Sequence, residues 1–448
     1  MDAHVDLQQR DNSTSSESTD PPPRMTRQQI LTLISMASVN FSSMICYSIL
    51  GPFFPTEAIK KGASQTVIGL IFGCYAVCNL IGSLILGKYI VQIGAKFMLI
   101  SGLFVSSGCT ILFGLLDRVP AGPTFISLCF IVRSVDAVGF AAAMTSSFAM
   151  TAKIFPNNVA TVLGSLEIFT GLGLILGPPV GGWFYQSFGY EAPFMLLGFF
   201  LLIMVPFNIY ILPTIDADPS KDSFFRLLTH VKILLICYVI FTLSAGLGFL
   251  DATLSLFAIE RFSLSPGYVG LIMLGLSLPY CLASPLMGYF TDKYPATRSW
   301  FMVTGSLATA AGFCLLGPAP FLHTPSQLWL LVLMLGVIGF SLGMTAIPTF
   351  PEIITCAYGQ SFEEGLSTLG MVSGLFGAVW SMGMFYGPIV GGLITQHLSF
   401  EWAAAVQGGL TFLAAFLLAV YYVFQRPQQQ SIPEDGRQTD ERTPLLDE

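Results

Sequence analysis

Long apolar runs separated by short polar breaks are the dominant pattern of this chain. Twelve of them fall near residues 29–54, 65–87, 97–116, 122–150, 160–186, 192–212, 232–258, 267–290, 300–317, 327–351, 366–393 and 400–424. An α-helix needs about 20 predominantly apolar residues to cross the hydrocarbon core of a bilayer, and the runs meet that need. They are continuous rather than alternating in ten-residue segments, which argues against a closed β-barrel, the other way to span a membrane with the backbone satisfied. The pattern predicts an all-α membrane protein of twelve transmembrane helices. A mean hydropathy of +0.71 with only 10% charged residues excludes an ordinary soluble protein of 448 residues.

The chain also repeats itself. GPPVGGWFYQSFGYE, Gly177 to Glu191, returns as GPIVGGLITQHLSFE, Gly387 to Glu401, a constant 210 residues later. Paired halves that each carry a Gly/Pro-interrupted apolar segment are a mark of secondary transporters, which rock two repeats about a central site. The expected organisation is a tail at 1–27, a six-helix bundle at 28–212, a polar linker at 213–231, a pseudo-symmetric six-helix bundle at 232–424 and a tail at 425–448. Both tails are expected to be disordered, and the first lacks the basic and apolar regions of a signal peptide. Of the nineteen Lys and Arg residues, Lys60, Lys61, Arg118 and Arg261 fall on the side away from the tails and Arg133 falls inside a run; the others lie on the tail side. Basic residues near span ends remain in the cytosol, so both termini are expected there. The net charge of -7 comes mostly from acidic tails and implies no nucleic-acid partner.

Side-chain chemistry narrows the function class. The nine cysteines lie almost entirely within apolar runs, so no disulfide is expected, and Cys74 and Cys78 have no His or carboxylate beside them to complete a metal site. With no hydrolase triad or phosphate-binding loop either, the chain is not expected to be an enzyme or to hold a metal or cofactor. Charge inside the spans is more informative. Glu167, in GSLEIFTG, and Asp251, in GFLDATL, have no basic neighbour within one helical turn. A carboxyl withdrawn from water must find a partner or hold a proton, and one that trades a proton for a cationic amine is the chemical basis of antiport. A helix contact satisfied by a hydroxyl or backbone group is the alternative for each. Glu352 and Glu260, near run ends, read as interfacial.

Two motifs resemble those of the major facilitator superfamily. Gly173, Gly177, Pro178, Gly181 and Gly182, and again Gly383, Gly387, Pro388, Gly391 and Gly392, follow the family's G-x-x-x-G-P-x-x-G-G antiporter pattern. Small residues let helices approach, and proline removes a backbone hydrogen bond, so the segment offers a bend on which halves can pivot; a bend without transport meaning is the plainer reading. After the eighth run, Gly288, Asp292 and Lys293 match the loop pattern G-x-x-x-D-[RK]-x-G-[RK], whose acid is implied to latch neighbouring helices on the cytosolic side. A solvated loop with topogenic charge is the alternative. The amino-half copy, Gly87 to Lys96, carries Val91 where the acid should be, which puts that latch in doubt. RSVDAVGFAAA in the fourth run is similar to R-x-x-Q-G-x-G, with Asp136 replacing the amide. Arg133 and Asp136 are three residues apart on one helix face, and either pair with each other or serve a cation pathway.

Over about residues 28–424 the chain is similar to the vesicular amine transporter branch of that superfamily, and most of all to its polyamine carriers. The strings SVNFSSMICYSILGPFFP, FPNNVATVLGSLE, GLGFLDATLSLF, IPTFPEI and FEEGLSTLG carry the likeness. It implies a monomeric antiporter, driven by a proton gradient, that loads organic cations from the cytosol into acidic secretory, synaptic or endolysosomal vesicles by alternating access. By position, Asp251 matches the seventh-span carboxylate of the monoamine carriers and Arg133 their fourth-span arginine. Where those carriers have a first-span acid this chain has Asn40, Ser42 and Ser43, and Gly377 stands where an eleventh-span acid is expected. A linear polyamine such as spermidine or spermine therefore suits the chain better than a monoamine. Its separated ammonium groups match the acids Asp136, Glu167 and Asp251, with aromatic faces for cation–π contact at Tyr47, Trp380 or Tyr386. A broad-specificity drug or monoamine antiporter, and a non-transporting receptor or scaffold, are the rival readings. In the terminal ERTPLLDE, Glu441, Leu445 and Leu446 match an acidic dileucine signal that would recruit a clathrin adaptor.

Overall fold

The computed structural model describes residues 25–50, 54–217, 222–264, 266–318, 320 and 325–429. Among them there is no strand, and twelve helices are long and apolar enough to cross a membrane. The first six are α1 (Arg27–Ser48), α2 (Gln65–Ile93), α3 (Ala95–Leu115), α4 (Pro123–Ile154), α5 (Val159–Phe188) and α6 (Glu191–Ile211). The second six are α7 (Val231–Phe262), α8 (Pro266–Lys293), α9 (Arg298–Leu316), α10 (Leu328–Gly359), α11 (Leu366–His397) and α12 (Phe400–Gln429). Local chemistry sets several ends. Thr26 and Gln29 form a reciprocal capping box at the start of α1. The α2/α3 and α5/α6 corners turn on Gly94 and Gly189, at φ +90 and +89, a backbone region glycine enters without strain.

The structure departs from the apolar pattern at the first connection. α1 stops at Ser48 rather than near residue 54, and a short helix, Phe54–Lys60, follows where the sequence suggested the end of a span and a plain loop. Gly51 and Pro52 in the sequence account for the interruption, since proline lacks the N–H that a helix interior requires. Fully buried Phe54 anchors the short helix between Phe72 and Phe113, at ring separations of 5.9 and 4.9 Å. Polar ties fix its far end. Glu57 accepts from Lys60 at 2.8 Å and from the Tyr185 hydroxyl at 2.5 Å, and Arg118 grips Glu191 through two bonds of 2.7 and 2.9 Å. Lys60 and Tyr185 hold the Glu57 carboxyl below the usual glutamate value.

Helix pairings recur six helices later. α1 packs on α5, α2 on α4, and α3 on both α4 and α6; likewise α7 packs on α11, α8 on α10, and α9 on α10 and α12. The two sets meet along two seams, α5 with α8 and α2 with α11, which the same six-helix step interchanges. α4, α7, α10 and α11 each run 32 residues, about 48 Å at 1.5 Å per residue, so they outreach the roughly 30 Å apolar core. Large apolar side chains such as Phe97, Phe104, Ile203 and Leu282 are exposed on the outer surface, as lipid contact demands.

The connection between α6 and α7 is docked rather than slack. A short helix, Phe224–Leu228, buries Leu227, and Arg226 pairs with Asp222 at 2.7 Å while donating to the Gln360 carbonyl at 3.0 Å. The Arg226 guanidinium also lies 4.7 Å from the Phe362 ring, and Asp222 accepts from the Glu363 amide at 3.4 Å. This end of the linker is therefore fastened to the turn between α10 and α11.

Candidate transport site

In the amino half, α4 places Arg133 and Asp136 one turn apart, and they close on each other at 2.9 Å. Arg133 is only 2% exposed, so its charge needs compensation on every side. The Tyr75 ring supplies part of it, 4.1 Å from the guanidinium carbon. Tyr47 and Phe140 complete an aromatic group around Tyr75, at 5.5 and 6.0 Å. The structure thus surrounds the fourth-span arginine with a carboxylate and rings before any cargo arrives.

Asp251 is placed differently. It sits in the second half of α7, its surface is exposed, and among the described residues it has no hydrogen-bond donor and no counter-ion. Tyr47 on α1 lies within electrostatic reach of both Asp251 and Arg133, so α1 stands between the acid of one half and the ion pair of the other. Glu167 has found a hydroxyl. Tyr280 on α8 donates to its carboxylate at 3.0 Å, a bond that crosses from one half to the other. The α2–α11 seam has its own mid-span tie, Asn79 donating to Ser381 at 2.8 Å.

Trp380 and Tyr386 serve packing first. Trp380 stacks on Phe376 at 6.0 Å, and Phe376 meets Phe148 of α4 at 5.4 Å and Phe350 of α10 at 5.8 Å. This cluster fills the space between the halves on the side where the chain ends lie. Tyr386 packs on Phe241 of α7 at 5.2 Å, inside the carboxyl half and apart from the Arg133 group.

The glycine motifs lie where helices approach closest. A Cβ on Gly173 would come within 2.7 Å of the Phe41 carbonyl oxygen, and one on Gly387 within 2.1 Å of the Ala245 oxygen. Gly177 and Gly383 are equally confined against Ser48 and Ser244, Gly391 meets the Phe249 ring, and Gly181 is buried. Gly182 and Gly392 face open space. Pro178 and Pro388 lie inside the continuous helices α5 and α11. The segments therefore bind α5 to α1 and α11 to α7 within each half.

The latch residues meet the other half. A Cβ on Gly288 would come within 2.4 Å of the Ala160 oxygen, and Asp292 accepts from the backbone N–H groups of Thr161 at 2.6 Å and Ala160 at 3.3 Å. An acid from α8 thus caps the first turn of α5, where free N–H groups and the helix dipole favour negative charge. Its cationic neighbour is Arg298, at 3.4 Å; Lys293 instead turns to Tyr289 and Tyr294. On the symmetric seam a Cβ on Gly87 would come within 2.5 Å of the Gly370 oxygen, and Val91, 201 residues before Asp292, offers α11 no charge.

Glu352, read from the sequence as interfacial, is buried at 6% exposure and paired with Lys232 at 2.6 Å, because the start of α7 brings a cation against the end of α10. The described cysteines are all free, and no cluster of three or more His, Cys, Asp or Glu residues among the described residues is arranged to hold a metal. Glu441, Leu445 and Leu446 lie outside the described residues. Sequence reading missed Tyr75, Tyr280, Asn79 and Arg298. For the first three a signal existed, polar side chains inside apolar runs, but no local pattern names partners that lie so far along the chain.

Comparison with known proteins agrees with this architecture. The chain matches the major facilitator superfamily over residues 36–351 and 234–447. It is 57% identical to the MFS-type transporter SLC18B1 of Homo sapiens over 430 residues, covering 95% of this chain and 94% of that protein. The vesicular acetylcholine transporter of Drosophila melanogaster is 26% identical, with 84% of this chain and 62% of that protein covered. The chromaffin granule amine transporter of Homo sapiens is 23% identical, covering 82% and 66%. Among solved structures, the human organic anion transporter MFSD10 (TETRAN) superposes with a TM-score of 0.70 at 15% identity, over 88% of this chain and 100% of that one, which speaks to the fold alone. Twelve helices in a doubled arrangement, the paired Gly-Pro segments and these matches give one assignment: the chain belongs to the major facilitator superfamily, among transporters similar to SLC18B1 and, at greater distance, to the vesicular acetylcholine and amine carriers.

Proposed function

We propose that the chain is a proton-coupled antiporter that moves organic cations, polyamines such as spermidine and spermine foremost, from the cytosol into acidic vesicles. One observation carries the reading: Asp251 is an exposed carboxylate within the seventh span, without a counter-ion among the described residues and within electrostatic reach of Tyr47 of the other half. An acid held inside a membrane protein without a cation is a pathway residue by default. Arg133 has its own acid and ring, so it sets the field of the site and leaves Asp251 for the cargo. Kinship with carriers named for acetylcholine and amines supports a cationic cargo.

In the proposed cycle the site faces the cytosol with Asp251 ionised, and an ammonium group pairs with it while the alkyl chain lies along nearby rings. The halves then rock, as the paired seams allow. On the acid side a proton replaces the amine, and the neutral site returns to the cytosol, where loss of the proton restores the charge. In the proposed carrier both termini are cytosolic, the chain is a monomer, and delivery to endolysosomal or secretory vesicles is by a clathrin adaptor that reads Glu441, Leu445 and Leu446. Nothing beyond the proton gradient is required to drive it.

The test is uptake of labelled spermidine into proteoliposomes with an imposed acid interior. Gradient-dependent accumulation, reduced at least tenfold by Asp251→Asn, is the expected result. Uptake indifferent to the gradient would end the proposal, and equal competition by serotonin and bulky dyes would replace polyamine selectivity with broad cation export.

A further inference from the structure

The acid that the transport cycle above does not use is Glu167, and its surroundings are unlike those of Asp251. It lies in the α5–α8 seam, between two glycines at which α5 comes close to α8. One turn before it, a Cβ on Gly164 would come within 2.3 Å of the Ser284 oxygen; one turn after it, a Cβ on Gly171 would come within 2.3 Å of the Cys281 sulfur. These close approaches hold α5 against α8 on both sides of Glu167. What fills the gap is the Tyr280 hydroxyl, donating at 3.0 Å from the other half.

The symmetric seam has no acid at that level. Moving 210 residues from Glu167 leads to Gly377, and moving 201 residues back from Tyr280 leads to Asn79, whose amide donates to Ser381. Both seams carry a mid-span tie, and only one of them ends on an acid.

We infer that Glu167 and Tyr280 form the tie that makes seam opening depend on protonation, with Tyr280 acting as a positioning residue. The inference rests on the antiport reading and adds the step that links a proton to movement. A phenol donating to a carboxylate makes a charge-assisted bond roughly twice as strong as one between neutral groups. Ionised Glu167 therefore favours the state described, in which the seam is shut at the end bearing the chain termini, with Asp292 on the first turn of α5. Protonation from the far side weakens the tie and releases that end, which is the direction an empty carrier must move to meet new cargo.

Other ionisable groups near α5 are spoken for. α8 offers Tyr280 and Cys281, the latter within the field of Glu167. α1 offers Cys46 and Tyr47, which lie in the fields of Asp136 and of Asp251 respectively. On α4, Arg133 and Asp136 close on each other. The single acid of α6, Glu191, is held by Arg118 at the far end, and Glu352 of α10 is held by Lys232.

The test reads conformation, not transport. Spin labels on Asn157→Cys and Ala296→Cys, in a full-length chain whose accessible native cysteines are replaced by serine, report the spacing of α5 and α8 at the terminus-bearing end. Acidification is expected to shift the shut-to-open ratio about fivefold toward the longer distance. Tyr280→Phe should flatten this response, and Glu167→Gln should give the acid-like distribution at every pH. Asp251→Asn should abolish spermidine uptake and keep the pH response, so failure of the cargo assignment and failure of the tie are told apart. The inference is overturned if Tyr280→Phe or Glu167→Gln keeps the wild-type response, or if Asn79→Ala flattens it equally, since general loosening of a seam would then suffice.

Discussion

The two seams joining the halves are symmetric in position and different in chemistry. Along α5 and α8, Glu167 takes a hydroxyl from Tyr280 and Asp292 caps the other half's helix with Arg298 beside it. Along α2 and α11 the corresponding places hold Asn79 with Ser381, and Val91 with nothing to bind. Glycine gives both seams equally close backbones, 2.4 Å from a Cβ on Gly288 to the Ala160 oxygen and 2.5 Å from one on Gly87 to the Gly370 oxygen. Close packing is thus shared, whereas charge has been kept on one side only. On the inference above, one seam responds to ions and the second follows it.

The strongest challenge to this picture is to overfill each seam in turn. Gly288→Val and Gly87→Val both force a branched side chain onto a carbonyl, with overpacking on the order of 1–3 kcal/mol or more. Each is expected to cut transport at least tenfold, because fit is the property the seams share; a large inequality would show that they are not mechanically equivalent. Removing the latch acid comes next. Asp292→Ala leaves the Thr161 and Ala160 N–H groups without their acceptor and Arg298 without its carboxylate, and should destabilise the shut state by about 1–3 kcal/mol, read as faster amide exchange in the first turn of α5. Installing an acid on the plain seam is the converse. Val91→Asp should place a carboxylate near the start of α11, favour the shut state by about 0.3–1 kcal/mol and slow turnover a few-fold; an unchanged rate would mean that an acid without an arginine like Arg298 does not latch.

The smallest effect concerns the far side, away from both latches. Glu57 is held below its ordinary value of 4.5 by bonds from Lys60 and Tyr185. A depressed carboxyl contributes stability above its unfolded value and loses it as pH falls through the folded one. The clasp on the short helix Phe54–Lys60 should therefore persist in a mildly acidic compartment and fail only below 4.5, seen as loss of exchange protection there. Glu57→Gln should remove that acid limb and leave the pH response of the α5–α8 seam unchanged.

Much of the architecture was legible because it is written locally. Apolar run length fixed the number of spans, and the Gly-Pro repeat announced the doubling. The unusual acids were legible too, since Glu167 and Asp251 stand out wherever the background is apolar. Their partners were not. Tyr280 is 113 residues from Glu167 and Ser381 is 302 from Asn79, so these pairs exist only after the halves have met. The same holds for Glu352, whose burial depends on Lys232 arriving from α7, and for Arg298, which displaces Lys293 as the cation beside Asp292 because it begins the next helix. The short helix at Phe54–Lys60 was hidden by its own apolar content, which extended the first run past its true end.

The docked linker has a practical consequence. With Arg226 and Asp222 fastened to Gln360 and Glu363, the stretch from Asp222 onward rides with the second bundle as one piece. A reporter protein spliced a few residues after Asp222 would pry the α10–α11 turn from its mooring.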